Sequence, residues 1–151
     1  MPERKLQIEL VPSPLWGKSL SSTLPRKEWD RVRKSVYARQ GHSCGICGAQ
    51  GILYCHEIWH YDDHEHIQTL TGFIALCSKC NSCTHLGKAQ LLAKEGKIDM
   101  EALIGHYMQV NGCSLSDFKQ DKRQAFEQWR ERSDHAWTTA IGDYNRFLSP
   151  E

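Results

Sequence analysis

Apolar and polar residues alternate over Leu6, Gln7, Ile8, Glu9 and Leu10, the period-2 pattern of a half-buried strand within residues 1–11. Pro12, Pro14 and Gly17 end it, and Ser19 to Thr23 continue as loop. From Pro25 the period lengthens: Trp29, Val32 and Val36 fall at i, i+3 and i+7, one apolar stripe of a helix. That helix begins at Pro25 or Arg26, with Glu28 and Asp30 in its first turn and Arg39 near its end, and Gly41 stops it. Residues 52–59 read as a strand, His60 to His66 as a polar turn, and Ile67–Leu70 with Phe73–Leu76 as the returning extended segment. Leu86, Ala89, Leu91, Leu92 and Ala93 predict a helix from about Asn81 to Glu95.

Beyond Gly96 the pattern is helical packing. Asp99 caps a helix whose core stripe is Met100, Leu103, Ile104, Tyr107 and Met108, and Asn111-Gly112 turns the chain. Ser116 opens a third helix through Phe118, Ala125, Phe126 and Trp129. Its outer cations (Lys119, Lys122, Arg123, Arg130, Arg132) are interleaved with Asp121, Glu127 and Glu131, which reads as a solvated face. Residues 136–141 have β character and are expected to pair with the Leu6–Leu10 strand. The fold class is α+β. A chain of 151 residues suggests one domain, in three parts: an N-terminal strand or arm (1–24), a central core (25–95) and a helical C-terminal extension (96–151).

Charge narrows the options only slightly. A formal net charge of +1 advertises no nucleic-acid partner by itself, so any electrostatic footprint must be local. The strongest local excess is the outer face of the first long helix, with Arg31, Arg33, Lys34 and Arg39. Such a face is either solvated or phosphate-contacting, and Lys79 and Lys88 add cations farther along the chain. No apolar run approaches the ~20 residues of a membrane span, and the charged N-terminus lacks the apolar stretch of a signal peptide. Seven cysteines, an odd number, suit a reducing compartment and metal binding better than a disulfide framework, with the cytoplasm as the expected location.

Four of those cysteines carry the chemistry. Cys44-Gly45-Ile46-Cys47 and Cys77-Ser78-Lys79-Cys80 are paired Cys-x-x-Cys units, and four thiolates complete a tetrahedral zinc site with no open position. Zinc there is a staple, so any reaction belongs to the polar side chains it holds in place. Cys83 extends the second unit and is an alternative fourth ligand.

The order of features is specific: Cys-x-x-Cys-Gly, an apolar strand running into His56, then Ala75-Leu76-Cys77-x-x-Cys80-Asn81 and a helical His85. Over roughly residues 29–90 this resembles the HNH endonuclease family of the zinc-stabilised ββα-metal fold. The resemblance implies a structural zinc on Cys44, Cys47, Cys77 and Cys80, and a separate catalytic divalent ion between hairpin and helix. It places His56 as general base, with His85 and Asn81 as metal ligands; a helical spacing of four puts those two on one face. Cys55 stands where the family commonly has a metal-ligating Asp or His, and in that role it favours Zn²⁺, Ni²⁺ or Co²⁺ over Mg²⁺. Gly72 stands where the family has its middle Asn, and its backbone could orient the histidine in that residue's place. His60, Asp62, Asp63 or His64 could lend an auxiliary ligand.

The implied activity is metal-dependent hydrolysis of DNA, double-stranded, using Mg²⁺, Mn²⁺, Ni²⁺ or Zn²⁺ and leaving 5′-phosphate and 3′-hydroxyl ends. Phage biology, host defence, or a larger complex that supplies target choice are the settings such a small nuclease suits. The alternative from another class is a catalytically degenerate, zinc-stapled module that binds nucleic acid or protein.

Overall fold

The computed structural model describes residues 3–148. It is α+β, with three strands in one sheet and six α-helices among the described residues. A four-residue helix α1 (Leu20–Thr23) precedes α2 (Arg26–Arg39). Val32 and Val36 of α2 are fully buried, as the stripe requires, and Gly41 takes the left-handed φ of +64° that ends the element. The hairpin follows as β1 (Leu53–Asp62) and β2 (Ile67–Cys77), antiparallel with a bulge after Ile58. Then come α3 (Ser78–Thr84), α4 (Leu86–Lys94), α5 (Met100–Asn111) and α6 (Leu115–Ser133), and a short β3 (Thr138–Ala140). No helix among the described residues is long and apolar enough to cross a membrane.

The hairpin has a core on each face. Phe73 and Ala75 pack with Val32, Val36, Leu20 and Tyr144 on the α2 side. Leu76 packs with Leu86, Leu103, Tyr107 and Phe118 on the other, joined by the buried cysteines. Where β3 does not reach, the edge of β2 is covered by the segment after α2. Gln40 Oε1 accepts from Ala75 N (2.9 Å), while Gln40 Nε2 and Gly45 N both donate to Ala75 O. These bonds fix the first Cys-x-x-Cys unit against the sheet.

Several sequence expectations are corrected. Residues 3–11 form no strand (residues 1 and 2 lie outside the described range). Leu6 is fully buried, but its N–H and C=O pair with the Asn111 side-chain amide (2.8 and 2.9 Å), which stands in for a strand neighbour. The segment is a strap, pinned also by Arg4 Nε to Asp121 (2.8 Å) and Glu9 N to Thr84 O (2.9 Å). β3 accordingly pairs not with it but in parallel with Ile67–Thr69 of β2.

The polar turn is shorter than expected, because β1 runs on to Asp62. Asp62 Oδ1 then accepts from His64 N and Glu65 N, both at 2.9 Å, and His66 adopts a φ of +56°. The expected helix over residues 81–95 is two helices, beginning at Ser78 and broken at His85 (φ −95°, ψ 52°). The last helix is capped by Ser114, not Ser116, in a reciprocal box with Asp117.

Candidate functional site

The Cys-x-x-Cys units come together because the first rides on the edge of β2 and the second begins where β2 ends. Cys77 caps α3, its sulfur accepting from Cys80 N at 3.4 Å, and Cys44 Sγ accepts from Ile46 N at 3.5 Å. Backbone N–H groups aimed at sulfur stabilise thiolates. The sulfurs of Cys44, Cys47, Cys77 and Cys80 lie within 4.8 Å of one another, with Cys47 and Cys77 3.6 Å apart. Tetrahedral zinc with bonds of ~2.3 Å separates its sulfurs by about 3.8 Å, so the cluster can hold a structural metal such as zinc. Burial alone would raise the Cys44 thiol, but hydrogen bonds from Cys47, Cys77 and Ile46 outweigh it and bring the group down to about 6, whereas burial and the neighbouring sulfurs raise Cys80. As thiolates, four such groups crowded together would repel one another without a cation between them. Cys83 is outside the cluster: it is buried and its thiol donates to Leu103 O at 3.6 Å.

Sequence reasoning missed a contact at this centre. His106 of α5 places Nε2 3.2 Å from Cys80 Sγ. Burial first, then the charge of Lys79, lowers His106 and keeps the ring neutral, able to donate Nε2–H to a thiolate. Partners of this kind commonly alter metal affinity ~10–100-fold. His106→Phe is therefore expected to leave the fold intact and speed zinc transfer to a chromogenic chelator by about tenfold or more. Unchanged release would reduce the contact to packing.

The second centre lies where β1 faces the break between α3 and α4. His56 points to the same face as its cross-strand neighbour Ile74 and is 8% exposed. His56 Nδ1 stands 3.3 Å from His85 Nε2, and His56 Nε2 stands 3.0 Å from Glu9 Oε2. A carboxylate only accepts, so Nε2 carries the proton and Nδ1 of the neutral ring is a bare lone pair. Burial, then the neighbouring His56, lowers His85 to about 4, and it is neutral at pH 7. Two nitrogens at 3.3 Å suit an N–H···N hydrogen bond. They equally suit two ligands of one ion, since tetrahedral bonds of ~2.0–2.1 Å separate nitrogens by about 3.3–3.4 Å. Glu9 was invisible in the sequence because it falls on the polar side of an alternating segment. Its backbone bond to Thr84 delivers it.

The other nominated residues divide. Asn81 lines the same cavity of about 690 Å³ as His85, together with Arg33 and Lys88. Cys55 points from β1 toward α2 and packs with the apolar cluster there. Burial pushes its thiol up to about 12, which suits a neutral hydrophobe rather than a thiolate ligand. Gly72 lies opposite Ile58, two positions from His56, so it does not orient that ring. In the turn, Asp63 holds Arg132 through two bonds (2.7 and 2.9 Å), Asp62 caps the backbone and His64 is exposed.

The basic face of α2 is largely engaged within the molecule. Arg39 donates to Phe147 O and Phe73 O, Arg31 to Asn145 Oδ1, and Arg33 Nε to Asp30. Lys34 is exposed, and Lys79 lies by the cysteine cluster, where its charge reaches His106. Glu57, unremarked in the sequence, is buried and accepts from Leu20 N and Ser21 N (2.7 and 3.2 Å), anchoring α1 beside His56. No family model, curated protein or solved structure matches this chain.

Proposed function

We propose that this chain is a metal-dependent nuclease of the HNH kind, hydrolysing a phosphodiester between the hairpin and α3–α4, with a structural zinc on the four cysteines. One observation carries the reading: His56 and His85, 29 residues apart in sequence, meet at 3.3 Å beside an open cavity. In this reading His56 is the base. Nδ1 accepts the proton of the attacking water, while Glu9 behind Nε2 holds the ring and stabilises the imidazolium that forms. His85, neutral at pH 7, holds the divalent ion, and Asn81 supports it from the same wall. That ion, when bound, supplies charge for the phosphate and for the departing 3′ oxygen. Lys88, exposed beside His85, adds positive charge where the phosphate would lie. DNA is the expected substrate, with target choice supplied by a larger complex, since Arg31, Arg33 and Arg39 of the α2 face are engaged within the molecule.

The test is cleavage of supercoiled plasmid and of single-stranded DNA by zinc-loaded protein with added Mg²⁺, Mn²⁺, Ni²⁺ or Zn²⁺. Divalent-dependent strand breaks bearing 5′-phosphates are the expected result. DNA binding without cleavage under every ion would retire this reading in favour of a zinc-stapled binding module.

A further inference from the structure

Two concavities meet at the imidazole pair. The first, about 690 Å³, is walled by Trp29, Tyr37 and Tyr54; the second, about 550 Å³, by Trp16, Trp59 and His56. Ser21, Cys55, His85 and Lys88 line both and form the seam between them. The seam thus carries the proposed site of cleavage and one exposed cation, and each flanking lobe carries aromatic rings.

Trp16 is the most telling of these rings. It is 64% exposed, yet it is not loose. Its Nε1 donates to Val11 O at 2.9 Å, and Trp129 Nε1 donates to the same oxygen at 2.9 Å. The two indoles stack at 6.4 Å with planes 20° apart. One face of Trp16 is therefore backed by Trp129, and much of the ring stays open to solvent. A rigid, exposed indole gains little from folding and is pre-organised for stacking on a planar partner. Across the seam, Tyr54 is 44% exposed in the other lobe, where Arg33 lies over the Tyr37 ring at 6.0 Å.

From this arrangement we infer that the trough binds single-stranded nucleic acid, with the phosphate on the seam at Lys88 and the flanking bases stacked in the two lobes. A paired duplex keeps its bases inside the stack and offers only phosphates to such a surface. Duplex affinity comes chiefly from an array of phosphate contacts, and Arg31, Arg33 and Arg39 are already bonded within this molecule. Stacking platforms flanking a cation are the recognition chemistry of unpaired strands. Among the described residues, the acid that lines the lobes is Glu57, buried with Oε1 accepting two backbone amides and its pKa raised by burial, while the nearby Glu9 carboxylate is paired with His56 Nε2 at 3.0 Å. It presents little charge to repel a phosphate.

This inference rests on the nuclease reading for the place of the phosphate, but its test is binding alone. Fluorescence anisotropy of labelled oligo-dT, oligo-U and a blunt DNA duplex of equal length would be measured with zinc-loaded protein and no added divalent ion. Single strands should bind at least about tenfold tighter than duplex, and Trp16→Ala and Tyr54→Ala should each weaken them by about tenfold. Trp16→Phe should retain most of the affinity, which separates stacking from misfolding. Equal or tighter duplex binding, or single-strand binding unchanged in both alanine variants, would overturn the inference. The dT and U arms decide whether DNA or RNA is preferred. Tight single-strand binding with no cleavage under any ion would remove the nuclease reading and leave the trough standing. Duplex cleavage without single-strand preference would do the reverse.

Discussion

Cys80→Ser, or exhaustive chelation of the wild type, is expected to lower the melting temperature by on the order of 10 °C and to reduce zinc from about one per chain to none. Cys80 has no exposed surface, and it sits in the same cluster as Leu76, Leu86, Leu103 and Tyr107. Without a cation, four sulfurs within 4.8 Å must be protonated or repel one another. The first Cys-x-x-Cys unit, which covers the edge of β2, would lose its link to α3. The hairpin and the α2 core do not need the metal directly, so partial rather than total loss of helical circular dichroism should accompany the transition. Melting curves with elemental analysis check this. A metal-free protein with an unchanged melting temperature would show that the cluster is not a staple.

If the chain cleaves DNA as proposed, His56→Ala is expected to reduce cleavage by ~10²–10⁴-fold, the usual contribution of a positioned base. Glu9→Gln should cost about tenfold or more while His56 keeps its place, because an amide can still accept from Nε2–H but offers no charge to the imidazolium. The pair of histidines also permits a direct check on roles. If His56 is the base, its alanine variant should bind the added ion as wild type does, whereas His85→Ala should lose that ion. Loss of ion binding in both variants would instead make His56 a second ligand, as the 3.3 Å separation allows. Full activity in His56→Ala would exclude it from either role.

The cysteine pairs were legible because ligand spacing is local: each Cys-x-x-Cys sets its own turn. The α2 stripe was legible for the same reason, since Val32 and Val36 need only a helix to share a face. Pairings that depend on distant segments were not. Leu6, Ile8 and Leu10 alternate as a strand would, but alternation cannot reveal that the neighbour is an amide on Asn111, 105 residues away. Residues 138–140 read correctly as β, yet their partner was β2 and not the arm. Ser82, Cys83, Thr84, His85 and Gly87 are poor helix formers, a local sign of the break that the good formers from Leu86 onward masked. Of the nominated site, His56, Asn81 and His85 converge, whereas Cys55 faces the opposite side of its strand. Glu9 and Glu57 were hidden by their type: a carboxylate in an alternating run reads as solvent-facing until a buried partner is known.

The strap has a consequence for the order of assembly. Besides Thr84, its anchors are Asn111, Asp121 and Trp129, at separations of 105 to 118 residues. Closing loops of that length is entropically costly and rewards the chain only once both ends are structured. During synthesis the strap must therefore wait for several of its contacts until α5 and α6 have been made. Glu9, which fixes the His56 ring, has its own anchor at Thr84 O, but Leu6 and Val11 on either side of it are held only once α5 and α6 are in place. A nascent or C-terminally truncated chain could fold its cysteine knuckles and hairpin and still hold an unoriented histidine. Competence at this site would then be gained late, when the strap docks on α5 and α6.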